Sequence, residues 1–197
     1  MSLRKVISSG QAGVERAALD SAIRMPIYSW GGWVPKGRLA EDGEMPSSYF
    51  DVERIGCGLE ECPRGRPSMA RLRNIRDSDA TLILRPARIG GTLPESIKLV
   101  IRSCRNLGRP YRILDPYKTA RIPSAVRWIC ETNAKEGDDE EHQEIRVLNV
   151  VGLKESKHPG IYDRSLTFIN DILSYTSVYK SWGIKIWAPS KRKEPHK

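Results

Sequence analysis

Three glycine-bearing stretches in this chain have the composition needed to hold an oxyanion. The first is Ser8-Ser9-Gly10-Gln11-Ala12-Gly13, the second Gly90-Gly91-Thr92, and the third Gly152-Leu153-Lys154-Glu155-Ser156 with Pro159-Gly160 beyond it. Glycine lets a backbone turn tightly and come close to a ligand. A helix starting just after such a turn offers unpaired N–H groups and a positive dipole end, which suit phosphate or a similar anion. Thr92 and Ser156 add hydroxyl donors, and Lys154 adds a charge. A single glycine after a strand is usually only a turn. Three in one chain, each between a strand-like and a helix-like segment, are expected to share one rim.

A fourth stretch, Trp30 to Gly43, sets Lys36, Gly37, Arg38, Glu41 and Asp42 on glycine-punctuated backbone. Lys36 or Arg38 is a candidate phosphate clamp. The alternative is a solvated loop with Trp33 packed on the core.

The elements that must position these turns follow from periodicity. Val6-Ile7-Ser8 reads as a strand ending at Ser9-Gly10. Apolar residues at Val14, Ala17, Ala18, Ser21 and Ala22 then recur at helical spacing. Asp79 to Leu84 is a second strand, with a helix from Ser96 to Asn106. Tyr111 to Leu114 is a third, with a helix from Pro123 to Thr132. Ile145 to Val151 is a fourth, meeting Gly152, with a helix from about Ile161 to Tyr175. Tyr49 to Pro67 reads as a loop, and Glu136 to His142 as an acidic, solvated loop. Alternating strands and helices predict a Rossmann-like, doubly wound α/β fold: a mainly parallel sheet with helices on both faces. Ligands in such sheets sit beyond the carboxyl ends of the strands. One domain is expected over residues 1–180, and a basic tail with Trp182 and Trp187 over 181–197.

Composition narrows the partners. The chain has 197 residues, 39% hydrophobic and 29% charged, which suits a soluble domain able to bury its own core. No apolar run reaches membrane-spanning length, and no secretory segment precedes the first strand, so a cytoplasmic protein is expected. The net charge of +9 favours anionic partners. No basic stripe with interleaved aromatics is visible, so specific nucleic-acid binding is not expected. Cys57 and Cys62 lie five apart with no matching second pair, and no metal site is assigned. His142, His158 and His196 are the only histidines, and none sits in a catalytic pattern.

Long motifs also carry a family resemblance. Ser9-Gly10-Gln11-Ala12-Gly13-Val14-Glu15-Arg16-Ala17-Ala18-Leu19-Asp20 resembles the opening motif of the circularly permuted YpsA-like family, a branch of the SLOG superfamily whose members are often labelled molybdenum carriers. The likeness continues through Gly31 to Arg38, Ala40 to Gly43, Asn74 to Leu82, Gly90-Gly91-Thr92, Leu148 to Gly152, Lys154-Glu155-Ser156 and Pro159 to Tyr162. It implies a Rossmann-like fold whose glycine turns bind a nucleotide-derived or pterin-type ligand, usually in an oligomer. Permutation implies that the strand before Gly152 is the first strand of unpermuted relatives. Where most members have threonine in the first turn, this chain has Ala12.

The expected function is therefore a binding or carrier protein for a small phosphate-bearing, nucleotide-like or molybdopterin-type ligand, working as a homo-oligomer (dimer or tetramer). No cofactor is assigned with certainty. The candidate ligand residues are Ser9, Gly10, Gln11, Ala12, Gly13, Lys36, Gly37, Arg38, Asp42, Gly90, Gly91, Thr92, Gly152, Lys154, Glu155 and Ser156. The alternative is a nucleoside-monophosphate phosphoribohydrolase. Gly91-Thr92-Leu93-Pro94-Glu95 resembles the Gly-Thr-x-x-Glu run of those enzymes, and Glu95 would then steady a developing oxocarbenium ion. They also use an arginine on the preceding helix, for which Arg71 and Arg73 are candidates.

Overall fold

The computed structural model describes residues 3–50, 57–63, 67–87, 92–131 and 144–182. Its centre is a parallel sheet of six strands: β1 (Lys5–Ile7), β2 (Ser29–Val34), β5 (Gly58–Glu61), β6 (Ala80–Leu84), β7 (Tyr111–Leu114) and β8 (Val147–Gly152). The spatial order is β5-β2-β1-β8-β6-β7. A small antiparallel hairpin of β3 (Leu39–Ala40) and β4 (Gly43–Glu44) stands apart from it. The last strand in sequence, β8, lies mid-sheet between β1 and β6, where a displaced first strand belongs.

Helices cover both faces, as expected for a doubly wound fold. The helices α1 (Val14–Ile23), α4 (Ile122–Cys130) and α5 (Ile161–Trp182) share one face. On the other lie α2 (Pro67–Arg76) and α3 (Glu95–Asn106). Strand alternation builds the two cores. Leu82 and Leu84 join the α1/α4/α5 side, while Ile83 joins Ile97, Val100 and Cys104 of α3. Each such aliphatic side chain contributes about 1.5–3 kcal/mol of burial. No helix among the described residues is long and apolar enough to cross a membrane.

Two strands and two helices differ from the sequence expectation. β2 is Ser-Trp-Gly-Gly-Trp-Val, where paired glycines suggest a loop. They serve close approach instead. A Cβ on Gly32 would lie 2.4 Å from the Ser8 carbonyl oxygen, and its φ is +126°. β5 is Gly-Leu-Glu-Glu at the sheet edge, with only Leu59 buried, so it carries no apolar run. α2 begins at Pro67, a residue suited to the first helical position, where the sequence reading still has loop. α5 runs to Trp182, past the expected end at Tyr175 and past the expected domain boundary at 180. The acidic stretch 136–142 and the tail beyond 182 lie outside the described residues.

Candidate functional site

The turn after β1 is buried throughout, from Ser8 to Val14. The backbone N–H groups of Gly10, Gln11, Ala12 and Gly13 find no acceptor among the described residues. Below them, Val14 opens α1, whose first-turn amides add positive potential. The turn after β8 packs directly against this one. Val14 N–H donates to the Leu153 carbonyl at 3.2 Å, and Glu155 N–H donates to the Ala12 carbonyl at 3.2 Å. Gly13 and Lys154 thus face each other across an isolated bridge. Gly13 sits at φ +102°, and a Cβ there would lie 2.6 Å from the Leu153 oxygen and 2.7 Å from the Glu155 nitrogen. The first and third turns therefore share one rim.

Beside them is a pocket of about 280 Å³. Ser9 and Gln11 line it from the first turn and Lys154 from the third. Leu39, Ala40 and Glu41 of the β3–β4 hairpin close one side, and Arg71 of α2 reaches in from the opposite face of the sheet. Arg71 answers the question left by the sequence: this arginine, and not Arg73, reaches the pocket. The guanidinium of Arg73 instead lies 4.5 Å from the centre of the Trp33 ring.

Behind the pocket, Glu15 in the first turn of α1 is almost fully buried, its side chain 3% exposed. It accepts a hydrogen bond from the Ser9 hydroxyl and pairs with Arg71 Nε at 3.4 Å. In the sequence Glu15 stands out only as part of the opening motif, and its partner is 56 positions away, where no local spacing marks it.

The hairpin is fastened by its two acidic tip residues. Glu41 accepts from the Ser156 N–H at 2.9 Å and the Ser156 hydroxyl at 2.6 Å, with Lys154 Nζ at 3.7 Å. Asp42 takes both ends of the Arg16 guanidinium. Gln11 donates to the Leu39 carbonyl at 3.1 Å. Burial alone would raise the Glu41 carboxyl, but the Ser156 hydroxyl and amide and the Lys154 ammonium outweigh it and hold it below the usual range. The Arg16 hydrogen bond holds Asp42 low as well, against the opposing effect of burial. An internal carboxylate thus rests on two of the donors expected to serve a ligand.

That depressed value sets a pH dependence. The Glu41 contact adds stability above its unfolded pKa of about 4.3, and the contribution fades as pH falls through the lower folded value. Urea unfolding of the wild type and of Glu41→Gln should differ at pH 7 and converge towards pH 3. A gap that stays constant across this range would count against the contact.

The other sequence candidates are placed elsewhere. Gly37 N–H and Arg38 Nε both donate to Glu61, at 3.0 and 3.1 Å, and Arg38 stacks on Phe50. Lys36 is exposed and, like Gly37 and Arg38, does not line the pocket. The Glu155 carboxylate accepts from Gly160 N–H and Tyr162 N–H, which caps α5. Gly152 is buried at the end of β8. Gly90 and Gly91 lie outside the described residues, and Thr92 is exposed just before α3. Glu95 is 82% exposed, pairs with Lys98 at 2.7 Å, and does not line the pocket.

A family model for circularly permutated YpsA proteins of the SLOG group matches residues 6–173. The chain belongs to that family. The match spans both turns, the hairpin and all six strands of the sheet. One solved structure of the same kind comes from Syntrophus aciditrophicus SB, a protein whose name proposes a role in carrying molybdenum. It is 32% identical to this chain, with a TM-score of 0.69, covering 87% of this chain and 96% of its own. No curated protein matches the sequence. Within this family fold, Arg71 and Glu41 are the charged pocket residues absent from the candidate ligand residues read from the sequence. Arg71 comes from a helix read as near the site without a register, and Glu41 from a stretch credited to Lys36 and Arg38.

Proposed function

We propose that this chain is a binding and carrier protein for a small oxyanion-bearing ligand, of the phosphorylated nucleotide or molybdopterin type, seated between the turns after β1 and β8. One observation carries the reading. Four consecutive amides at the head of α1 are without acceptors among the described residues, beside a pocket into which Arg71 and Lys154 bring positive charge. Such donors match the oxygens of phosphate, and a tetrahedral molybdate presents the same face. The volume of about 280 Å³ lies at the small end of ligand sites, which suits a phosphate with its adjoining sugar or pterin fragment. The position of Glu95, in solvent and on Lys98, favours binding over glycosidic cleavage.

Equilibrium titration of the full chain with AMP, molybdate and molybdopterin tests the reading, with native mass spectrometry to reveal any ligand that co-purifies. Lys154→Ala should weaken binding of the favoured probe by about tenfold or more, since it removes a charged donor. Failure of all three probes to bind, or equal affinity in Lys154→Ala, would overturn it.

A further inference from the structure

A second concave site lies beyond the carboxyl ends of β6 and β7, on the other side of β8 from the Ser9 turn. It encloses about 500 Å³. Four cationic side chains line it: Arg85 just past β6, Arg112 on β7, and Lys118 and Arg121 in the connection to α4. Asp115 is the one carboxylate among its described lining residues, and it is already engaged. One of its oxygens accepts from Ala87 N–H at 3.0 Å and the other from Tyr117 N–H at 2.9 Å.

Arg112 is held in place by its neighbours. Arg112 donates to the Ser124 carbonyl in the first turn of α4, and its guanidinium lies 5.5 Å from the centre of the Trp128 ring. Burial and the charge of Arg121 together lower its hold on its proton. Neither Lys118 nor Arg121 forms an ion pair with a described carboxylate. Like charges gathered in a half-desolvated groove destabilise one another, and a bound anion turns that repulsion into attraction. The start of α4 adds its positive end to the same space.

We propose that this groove binds a phosphate dianion, free or as the terminal group of a small phosphomonoester, at a site separate from the pocket beside Ser9. The volume admits a mononucleotide. The cations supply charge-assisted hydrogen bonds from both sides of the groove, Arg85 from the end of β6, Arg112 from within β7, and Lys118 and Arg121 from the connection to α4.

Calorimetric titration of the full chain at low salt, once with inorganic phosphate and once with AMP, reads the site directly. The decisive variant is Lys118→Glu combined with Arg121→Glu. Both residues are exposed, so its thermal unfolding midpoint should stay near that of the wild type. The wild type should bind phosphate or AMP at this groove, and the charge-reversed variant should bind at least about tenfold more weakly there. Binding of inorganic phosphate identifies the dianion itself as the ligand; binding of AMP alone identifies an ester. Lys154→Glu, which acts at the other pocket, should leave this class of binding intact. If the Ser9 pocket binds nothing, the wild type shows one class only, and that class is lost in Lys118→Glu/Arg121→Glu. A wild type that binds neither probe, or a double variant that binds both as the wild type does, overturns the proposal.

Discussion

Gly13→Ala should destabilise the fold by about 3–5 kcal/mol, more than any single substitution of an exposed pocket residue. The cost has two sources. With φ +102° and ψ −133°, the residue lies in a region that side chains other than glycine enter only with strain of about 1–3 kcal/mol. The added methyl would also stand 2.6–2.7 Å from backbone atoms of Leu153 and Glu155, which belong to a packed turn and cannot rotate away. Forced overpacking of this kind costs about 1–3 kcal/mol. In a domain of this size the thermal midpoint should fall by about 10 °C. The damage should also reach the ligand, because relieving the overlap means separating the two turns. Chemical unfolding and the AMP titration on the same preparation check both effects. A variant with wild-type stability would show that the turns do not press against each other there.

Arg71→Met should cost about 2–3 kcal/mol and weaken binding as well. Glu15 would remain as a charge 3% exposed, with only the Ser9 hydroxyl to satisfy it. Removing one partner of a buried ion pair typically costs about 3–5 kcal/mol. The lower figure applies because the Arg71–Glu15 contact is long, at 3.4 Å, and Arg71 itself is 14% exposed. Glu15→Gln should cost less, since Arg71 can turn towards the pocket and water. The double variant should recover part of the loss, with a coupling of about 1 kcal/mol between the sites. Urea unfolding of the four proteins measures this cycle, and strict additivity would remove the pair as a stabilising contact. The binding effect separates from stability when titrations are run well below each unfolding midpoint.

What the sequence made legible was whatever repeats at short range. Val14, Ala17, Ala18, Ser21 and Ala22 mark α1 because a helix brings them to one face, and all five are buried. Asp79 to Leu84 reads as a strand because an apolar run can be buried on both faces of a central parallel strand. β2 and β5 escaped for physical reasons. In β2 the glycines that signal a turn are there to let β1 and β5 come close, and a local pattern does not separate the two uses. β5 lies at an edge, where one buried leucine suffices.

The same division runs through the site. The first and third turns were visible as glycines between a strand and a helix, and their meeting followed from a parallel sheet. Arg71, Glu15 and Glu41 were harder, because each is defined by a partner far away in the chain: Glu15 for Arg71, and Ser156, 115 positions on, for Glu41. Arg38 carries the right charge for a phosphate clamp, but it sits beside Glu61 of β5, a strand that the sequence pattern does not disclose.

The fastening of the hairpin bears on selectivity. Because Glu41 is tethered, it competes at Ser156 with an effective concentration on the order of millimolar, whatever the medium contains. A solute that offers Ser156 and Lys154 no more than another carboxylate would gains little by replacing it. An occupant that also engages the amides of residues 10–13 gains donors Glu41 does not use, and so can dislodge it. Under the proposed carrier role the tether would work as a threshold: it would turn away weak anions and, once a ligand had left, return to the Ser156 and Lys154 donors it now occupies.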